Sequence, residues 1–115
     1  MEDYPKFRGE IEKQLGQFVK EIPETMIGFN KLTNAANFDG ALSKKTKELI
    51  AMGIAIGARC DGCIAFHSKA LVDLKATRQE FLEMLQVAIH MGGGPSVAYA
   101  AKAMEAYEQT GGEKA

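Results

Sequence analysis

The sequence predicts an all-α fold, five to six helices packed in one bundle. Three observations carry this reading. Apolar residues recur every three or four positions along nearly the whole chain. Capping and helix-stop signals punctuate those runs, and the one strand-like segment has no second strand to pair with.

Each element follows from its own residues. Phe7, Ile11, Leu15, Phe18 and Ile22 step by three or four, with Glu10, Glu12, Lys13 and Lys20 off that stripe, so the first helix is amphipathic. Pro23 suits the first turn of a second helix, expected to carry Met26, Phe29, Leu32 and Ala36 inward. Asn37-Phe38-Asp39-Gly40 is a turn signal, and Ser43 is an N-cap candidate for a third helix over Lys44 to Ala58. Within it Met52, Ile54 and Ile56 alternate with Gly53, Ala55 and Gly57. Its length, its cap and the missing partner strand still make it helix, apolar on nearly all sides and central to the bundle. A fourth helix is expected from Cys60 to about Lys75, with Ile64, Leu71 and Leu74 apolar. Thr77-Arg78-Gln79-Glu80 reads as a capping box opening a fifth helix through Phe81, Met84, Leu85, Ala88 and Ile89. Gly92-Gly93-Gly94 stops it, and Pro95 starts a sixth through Val97, Ala101, Met104 and Tyr107. The tail from Gly111 to Ala115 is expected to fray. No repeat or linker divides the chain, so its 115 residues read as a single domain.

Composition narrows the function. With 46% apolar and 25% charged residues the chain has ordinary globular composition. Fourteen basic against 15 acidic residues leave a net charge of −1, which removes the electrostatic case for nucleic acid or an anionic membrane. The longest apolar run, Leu49 to Ala58, is about half a membrane span, and Met1-Glu2-Asp3-Tyr4-Pro5-Lys6 is no signal peptide. The expectation is a soluble, cytoplasmic protein. A chain this small with helices apolar on several faces, notably Leu49 to Ile56 and Val97 to Met104, is also expected to form a homo-oligomer.

Two cysteines are too few for a disulfide scaffold, but Cys60 and Cys63 form a Cys-x-x-Cys, a spacing of redox or metal chemistry. At roughly 100° per residue, Cys60, Cys63 and His67 fall within about 60° of one another on one helix face. Cys63 and His67 are i, i+4 neighbours, so the imidazole can take a thiol proton. The cysteines lie in the first turn, where the positive dipole end favours thiolate; Arg59 adds to that and Asp61 opposes it. If the third and fourth helices form a hairpin turning near Arg59, Glu48 reaches His67. Carboxylate, imidazole and thiol in series are an orienter, a base and a nucleophile.

Glu48, eleven residues, then Cys60-Asp61-Gly62-Cys63-Ile64-Ala65-Phe66-His67 resembles the signature of the alkylhydroperoxidase D-like proteins of the carboxymuconolactone decarboxylase superfamily. Gly40 to Ala51 is similar to that family's central helix, and Met91-Gly92-Gly93-Gly94-Pro95 with Tyr99 to its C-terminal helix junction. The resemblance covers about residues 20 to 110. It implies an all-α trimer or hexamer with thiol peroxidase or disulfide reductase activity, acting on a hydroperoxide or disulfide and recycled by an unidentified thiol electron donor. It implies that Cys63 attacks the peroxide, that Cys60 resolves the sulfenic acid to a disulfide, and that His67 and Glu48 relay the proton. No metal, haem or flavin is required. The decarboxylase branch lacks the complete cysteine pair. One departure stands: related peroxidases carry a histidine between the cysteines, where this chain has Gly62. On spacing, residues i and i+3 at a helix start have Cα atoms about 5–6 Å apart, within disulfide reach.

Two other functions use the same residues. A lactone decarboxylase would need a base rather than a thiol pair. A non-catalytic zinc-binding oligomer would close Cys60, Cys63 and His67 with Glu48 or His90. His90 taken alone is a cation placed well at a helix C-terminus, and Tyr99 is a candidate for a pocket, an interface or the core.

Overall fold

A computed structural model describes all 115 residues as six helices and no strand. They are α1 (Tyr4–Glu21), α2 (Pro23–Ala36), α3 (Lys44–Ala58), α4 (Asp61–Asp73), α5 (Arg78–Gly92) and α6 (Gly94–Gln109). None is long and apolar enough to cross a membrane. The alternating Met52–Gly57 segment is helical, as its length and the Ser43 cap predict. The Ser43 hydroxyl accepts the Thr46 N–H at 3.1 Å.

The last four helices close a ring, α3 beside α4, α4 beside α6, α6 beside α5 and α5 beside α3. Met52, Ala55 and Ile56 of α3, Ile64, Ala65 and Leu71 of α4, Phe81 and Leu85 of α5, and Ala100, Ala103, Ala106 and Tyr107 of α6 fill its centre. The Phe81 and Tyr107 rings stack with centroids 4.5 Å apart, and the Tyr107 hydroxyl donates to the Ala76 carbonyl at 2.7 Å. A buried aromatic pair adds about 0.5–1.5 kcal/mol beyond its area, and the satisfied hydroxyl removes the cost of burying it. Helix α1 lies across α4 and α6 on the outside of the ring.

Three expectations, for α2, α4 and the tail, are corrected. Helix α2 packs against α1 alone, so of Met26, Phe29, Leu32 and Ala36 only Met26 is half-buried and the others face out. The cause is the single residue, Ile22, between α1 and α2, which turns the chain away from the ring before α2 begins. Helix α6, for which the sequence sets no inward face, buries Ser96, Ala100, Ala103, Ala106 and Tyr107 and leaves Val97 and Ala101 exposed. Small residues turn inward because α6 touches four other helices, α1, α3, α4 and α5, which leaves room only for alanine and serine along most of its length. Helix α4 starts one residue later than expected, with Cys60 as its N-cap, and ends at Asp73. The tail does not fray at its start. The Gly112 N–H bonds the Tyr107 carbonyl at 2.8 Å, and the Glu113 carboxylate accepts the Arg78 N–H at 2.6 Å, capping α5 from a distance.

Candidate active site

The site is built on the α3–α4 hairpin. Arg59 ends α3 in the left-handed conformation, φ 59° and ψ 43°, and the Cys60 N–H returns to the Ala55 carbonyl at 3.0 Å. A non-glycine residue there costs about 1–2 kcal/mol. Its side chain offsets part of that: Arg59 Nη1 donates to the Ile56 carbonyl at 2.5 Å and to Ser96 Oγ at 3.0 Å. Ser96 reaches Arg59 only because residue 92 has no side chain. A Cβ on Gly92 would lie 1.8 Å from Ser96 Oγ. So the Gly-rich junction, legible in sequence as a helix stop, also lets α6 brace the turn that delivers the cysteines.

Cys60 is the α4 N-cap, the place serine or aspartate usually holds, and its sulfur accepts the Cys63 N–H at 3.1 Å. Cys60 and Cys63 are joined by a disulfide with Cα atoms 5.2 Å apart, within the range their spacing predicts. The sulfur that caps α4 is therefore set to receive negative charge when the bond opens, from an amide and from the helix dipole together. A Cβ at Gly62 would meet Ile11 Cδ1 at 3.3 Å. A larger residue at 62 would therefore have to move the Ile11 side chain of α1.

Glu48 and His67 meet as the hairpin register predicts. His67 Nδ1 lies 2.5 Å from Glu48 Oε2, with the carboxylate buried and the imidazole about one-third exposed. A carboxylate can only accept, so the shared proton is assigned to Nδ1. That leaves Nε2 as the free acceptor, on the same helix and one turn beyond Cys63. No hydrogen bond joins the imidazole to either sulfur in the disulfide state. The four residues singled out from sequence thus form two bonded pairs, Cys60 with Cys63 and Glu48 with His67.

The flanks of the site come from α1 and α6. Asp61 pairs with Lys102 at 3.6 Å, and the Tyr99 ring lies beneath both Lys102 (4.4 Å) and Arg59 (5.5 Å). The Arg59 guanidinium is thereby committed to Ser96, Ile56 and Tyr99. Tyr4, buried at the start of α1, has its phenol pushed up to about 12 by burial and by the Asp61 carboxylate. His90 sits exposed in the last turn of α5 and is not drawn into the cluster. No three His, Cys, Asp or Glu side chains are grouped closely enough to hold a metal ion. Sequence reasoning missed Tyr4, Ile11 and Ser96. The first two are tens of residues from the motif, and Ser96 carries no signal beyond its glycine neighbours.

A family model described as the carboxymuconolactone decarboxylase family matches residues 23–106. An uncharacterized protein of Cupriavidus necator is 38% identical over 99 residues, covering 86% of this chain and 88% of its own. An uncharacterized protein of the cox locus of Paracoccus denitrificans is 36% identical over 91 residues, 79% of each chain. Among solved structures, an apo carboxymuconolactone decarboxylase family protein from Legionella pneumophila superposes with a TM-score of 0.92 at 55% identity, covering 93% of this chain and 96% of its own. A family protein from Thermotoga maritima, suggested to be involved in antioxidative response, gives 0.79 at 28% identity, covering 89% and 87%. With the helices, the hairpin and the Glu48–His67 contact in place, these likenesses identify the chain as an alkylhydroperoxidase D-like member of the carboxymuconolactone decarboxylase family.

Proposed function

We propose that the protein is a thiol-dependent peroxidase or disulfide oxidoreductase acting through Cys60, Cys63, His67 and Glu48. The observation that carries the reading is the conjunction on one hairpin of a redox-competent cysteine pair and a carboxylate-oriented imidazole one turn away. In the reduced protein, His67 Nε2 takes the Cys63 thiol proton. The Cys63 thiolate attacks the distal oxygen of a hydroperoxide, the O–O bond breaks, and the proton goes to the departing alkoxide. Cys63 becomes a sulfenic acid and the alcohol leaves. Cys60 then attacks the Cys63 sulfur, water departs, and the disulfide forms; two thiols are oxidised for each peroxide reduced. An external thiol attacks Cys63, with Cys60 leaving as thiolate under the Cys63 N–H, and a second external thiol attacks the resulting mixed disulfide, which frees Cys63 and carries the two electrons' worth of oxidation away as an external disulfide. The antioxidative role suggested for the Thermotoga relative supports this reading.

One observation favours the opposite order. Cys60, not Cys63, accepts a backbone N–H, so it has a stabilised thiolate of its own. A sulfenic-acid probe decides between them. Peroxide should leave label on Cys63 in the Cys60→Ser protein and none on Cys60 in Cys63→Ser; the reverse pattern exchanges the two sulfurs. For the activity itself, one equivalent of hydroperoxide should remove two thiols per chain as an intramolecular disulfide, read by mass spectrometry and reversed by dithiothreitol. Unreacted thiols, or oxidation only to sulfinic acid, would reject the reading.

A further inference from the structure

We propose that Asp61 selects which of the two sulfurs ionises first in the reduced protein, holding the Cys60 thiol protonated while leaving Cys63 to His67. Resting on the thiol chemistry proposed above, this role explains how a sulfur at the N-cap, with an amide donor of its own, yields the first attack to Cys63.

Position gives Asp61 its selectivity. It follows Cys60 directly, as the first residue of α4. At roughly 100° per residue it points about 160° away from Cys63, on the side of the helix where Lys102 of α6 meets it. Cys63 lies on the other side, with His67 one turn on and Glu48 of α3 paired to that imidazole. A carboxylate at a helix start also competes with a thiolate there for the same dipole end. The negative charge therefore disfavours ionisation of the sulfur beside it more than of the sulfur across the helix.

That charge is poorly compensated. Asp61 Oδ1 is buried with no hydrogen-bond partner, and Oδ2 reaches Lys102 Nζ only at 3.6 Å, beyond hydrogen-bond length. Arg59, the other cation of the turn, is held by the Ile56 carbonyl, Ser96 and the Tyr99 ring. From α1, Tyr4 adds no charge at neutral pH, with its phenol at about 12. The same phenol registers the field: after burial, Asp61 does most to raise it, ahead of Glu2 and Glu105. Lys102, seated over the Tyr99 ring at 4.4 Å, offsets part of the Asp61 charge and so sets the strength of the effect. Asp61 acts through Cys60 and touches no substrate, which makes it a positioning residue.

The test reads thiol ionisation rather than peroxide consumption. Iodoacetamide alkylation of the reduced full chain is followed against pH in Cys63→Ser and Cys60→Ser, each with one sulfur left. Asp61→Asn should lower the Cys60 midpoint by roughly one pH unit and the Cys63 midpoint by clearly less. Asp61→Glu should restore most of the Cys60 value, and Lys102→Met should raise it. Both Asp61→Asn and Lys102→Met break the same ion pair, so a merely structural role would move Cys60 in one direction; the electrostatic role moves it in opposite directions. With both cysteines present, limiting iodoacetamide should label Cys63 first, and Asp61→Asn should raise the share on Cys60 several-fold, read by peptide mass spectrometry. A wild type labelled first on Cys60, equal shifts at the two sulfurs, or shifts of one sign in Asp61→Asn and Lys102→Met would overturn the proposal. These shifts in a protein that consumes no peroxide would reject the peroxidase reading and uphold the role of Asp61. Should Asp61→Asn unfold, Asp61→Ser also removes the charge at a helix start and is read the same way.

Discussion

At the residue scale, the Glu48–His67 contact assigns different weights to the two side chains. In the proposed mechanism His67 handles the thiol proton, while Glu48 holds Nδ1–H and so presents Nε2. His67→Gln should therefore slow peroxide consumption by ~10²–10⁴-fold, the usual loss on removing a general base. Glu48→Gln should cost less, since an amide oxygen can still accept the Nδ1 proton. Stopped-flow rates of thiol loss measure both, and a larger effect at Glu48 than at His67 would reverse the assignment. These residues were readable in the sequence because two regular geometries place them: helical spacing puts His67 over Cys63, and a hairpin turning at Arg59 puts Glu48 near His67. Ser96 and Ile11 were not readable. Their contacts with Arg59 and Gly62 depend on how α6 and α1 cross the hairpin, and no local periodicity encodes a crossing.

At the scale of the element, local chemistry was the most reliable guide. The Thr77–Glu80 capping box is present as read, with the Thr77 hydroxyl accepting the Glu80 N–H at 3.1 Å and the Glu80 carboxylate accepting the Thr77 N–H at 2.8 Å. That backbone hydrogen bond, with Lys45 at 2.9 Å, holds the Glu80 carboxyl below the ordinary 4.5. A carboxyl lowered by folding stabilises the native state above its unfolded value, and the contribution is lost as pH falls through the folded one. The wild type should therefore lose thermal stability below pH 4.5, and Glu80→Gln should lose less over the same interval. Thr77→Ala should cost about 1 kcal/mol at neutral pH by chemical denaturation. Equal acid sensitivity in wild type and Glu80→Gln would remove Glu80 from the account. Helix α2 shows the opposite case. Its periodicity correctly marks an apolar stripe, but a stripe does not say what covers it, and within one chain α1 half-buries Met26 alone.

At the scale of the whole molecule, α1 joins the two ends of the chain and closes over the cysteine turn. The Tyr4 N–H donates to the Gln109 side-chain carbonyl at 2.7 Å, and the Gln109 amide returns to the Glu2 carbonyl at 2.9 Å. Tyr4 itself is buried, and Ile11 two turns on touches the Gly62 position. Sequence alone counted α1 as one more amphipathic helix, because an end-to-end bond between residues 4 and 109 has no local mark. The phenol reports on this closure. Folding raises the Tyr4 ionisation from 10.0 to about 12, through burial first and the Asp61 charge second. Between those values the folded chain keeps a proton that the unfolded chain has lost, so stability falls as pH rises, by up to ~3 kcal/mol at about 1.4 kcal/mol per pH unit. Ultraviolet titration at constant ionic strength should show a tyrosinate step near pH 12 that Tyr4→Phe removes, and Tyr4→Phe should unfold at higher pH than the wild type. Asp61→Asn should bring the step down without abolishing it, because burial remains. A wild-type chain with no tyrosinate step near pH 12, or a Tyr4→Phe protein with the same alkaline unfolding midpoint, would place the phenol in water and leave the cysteine turn uncovered by the start of α1.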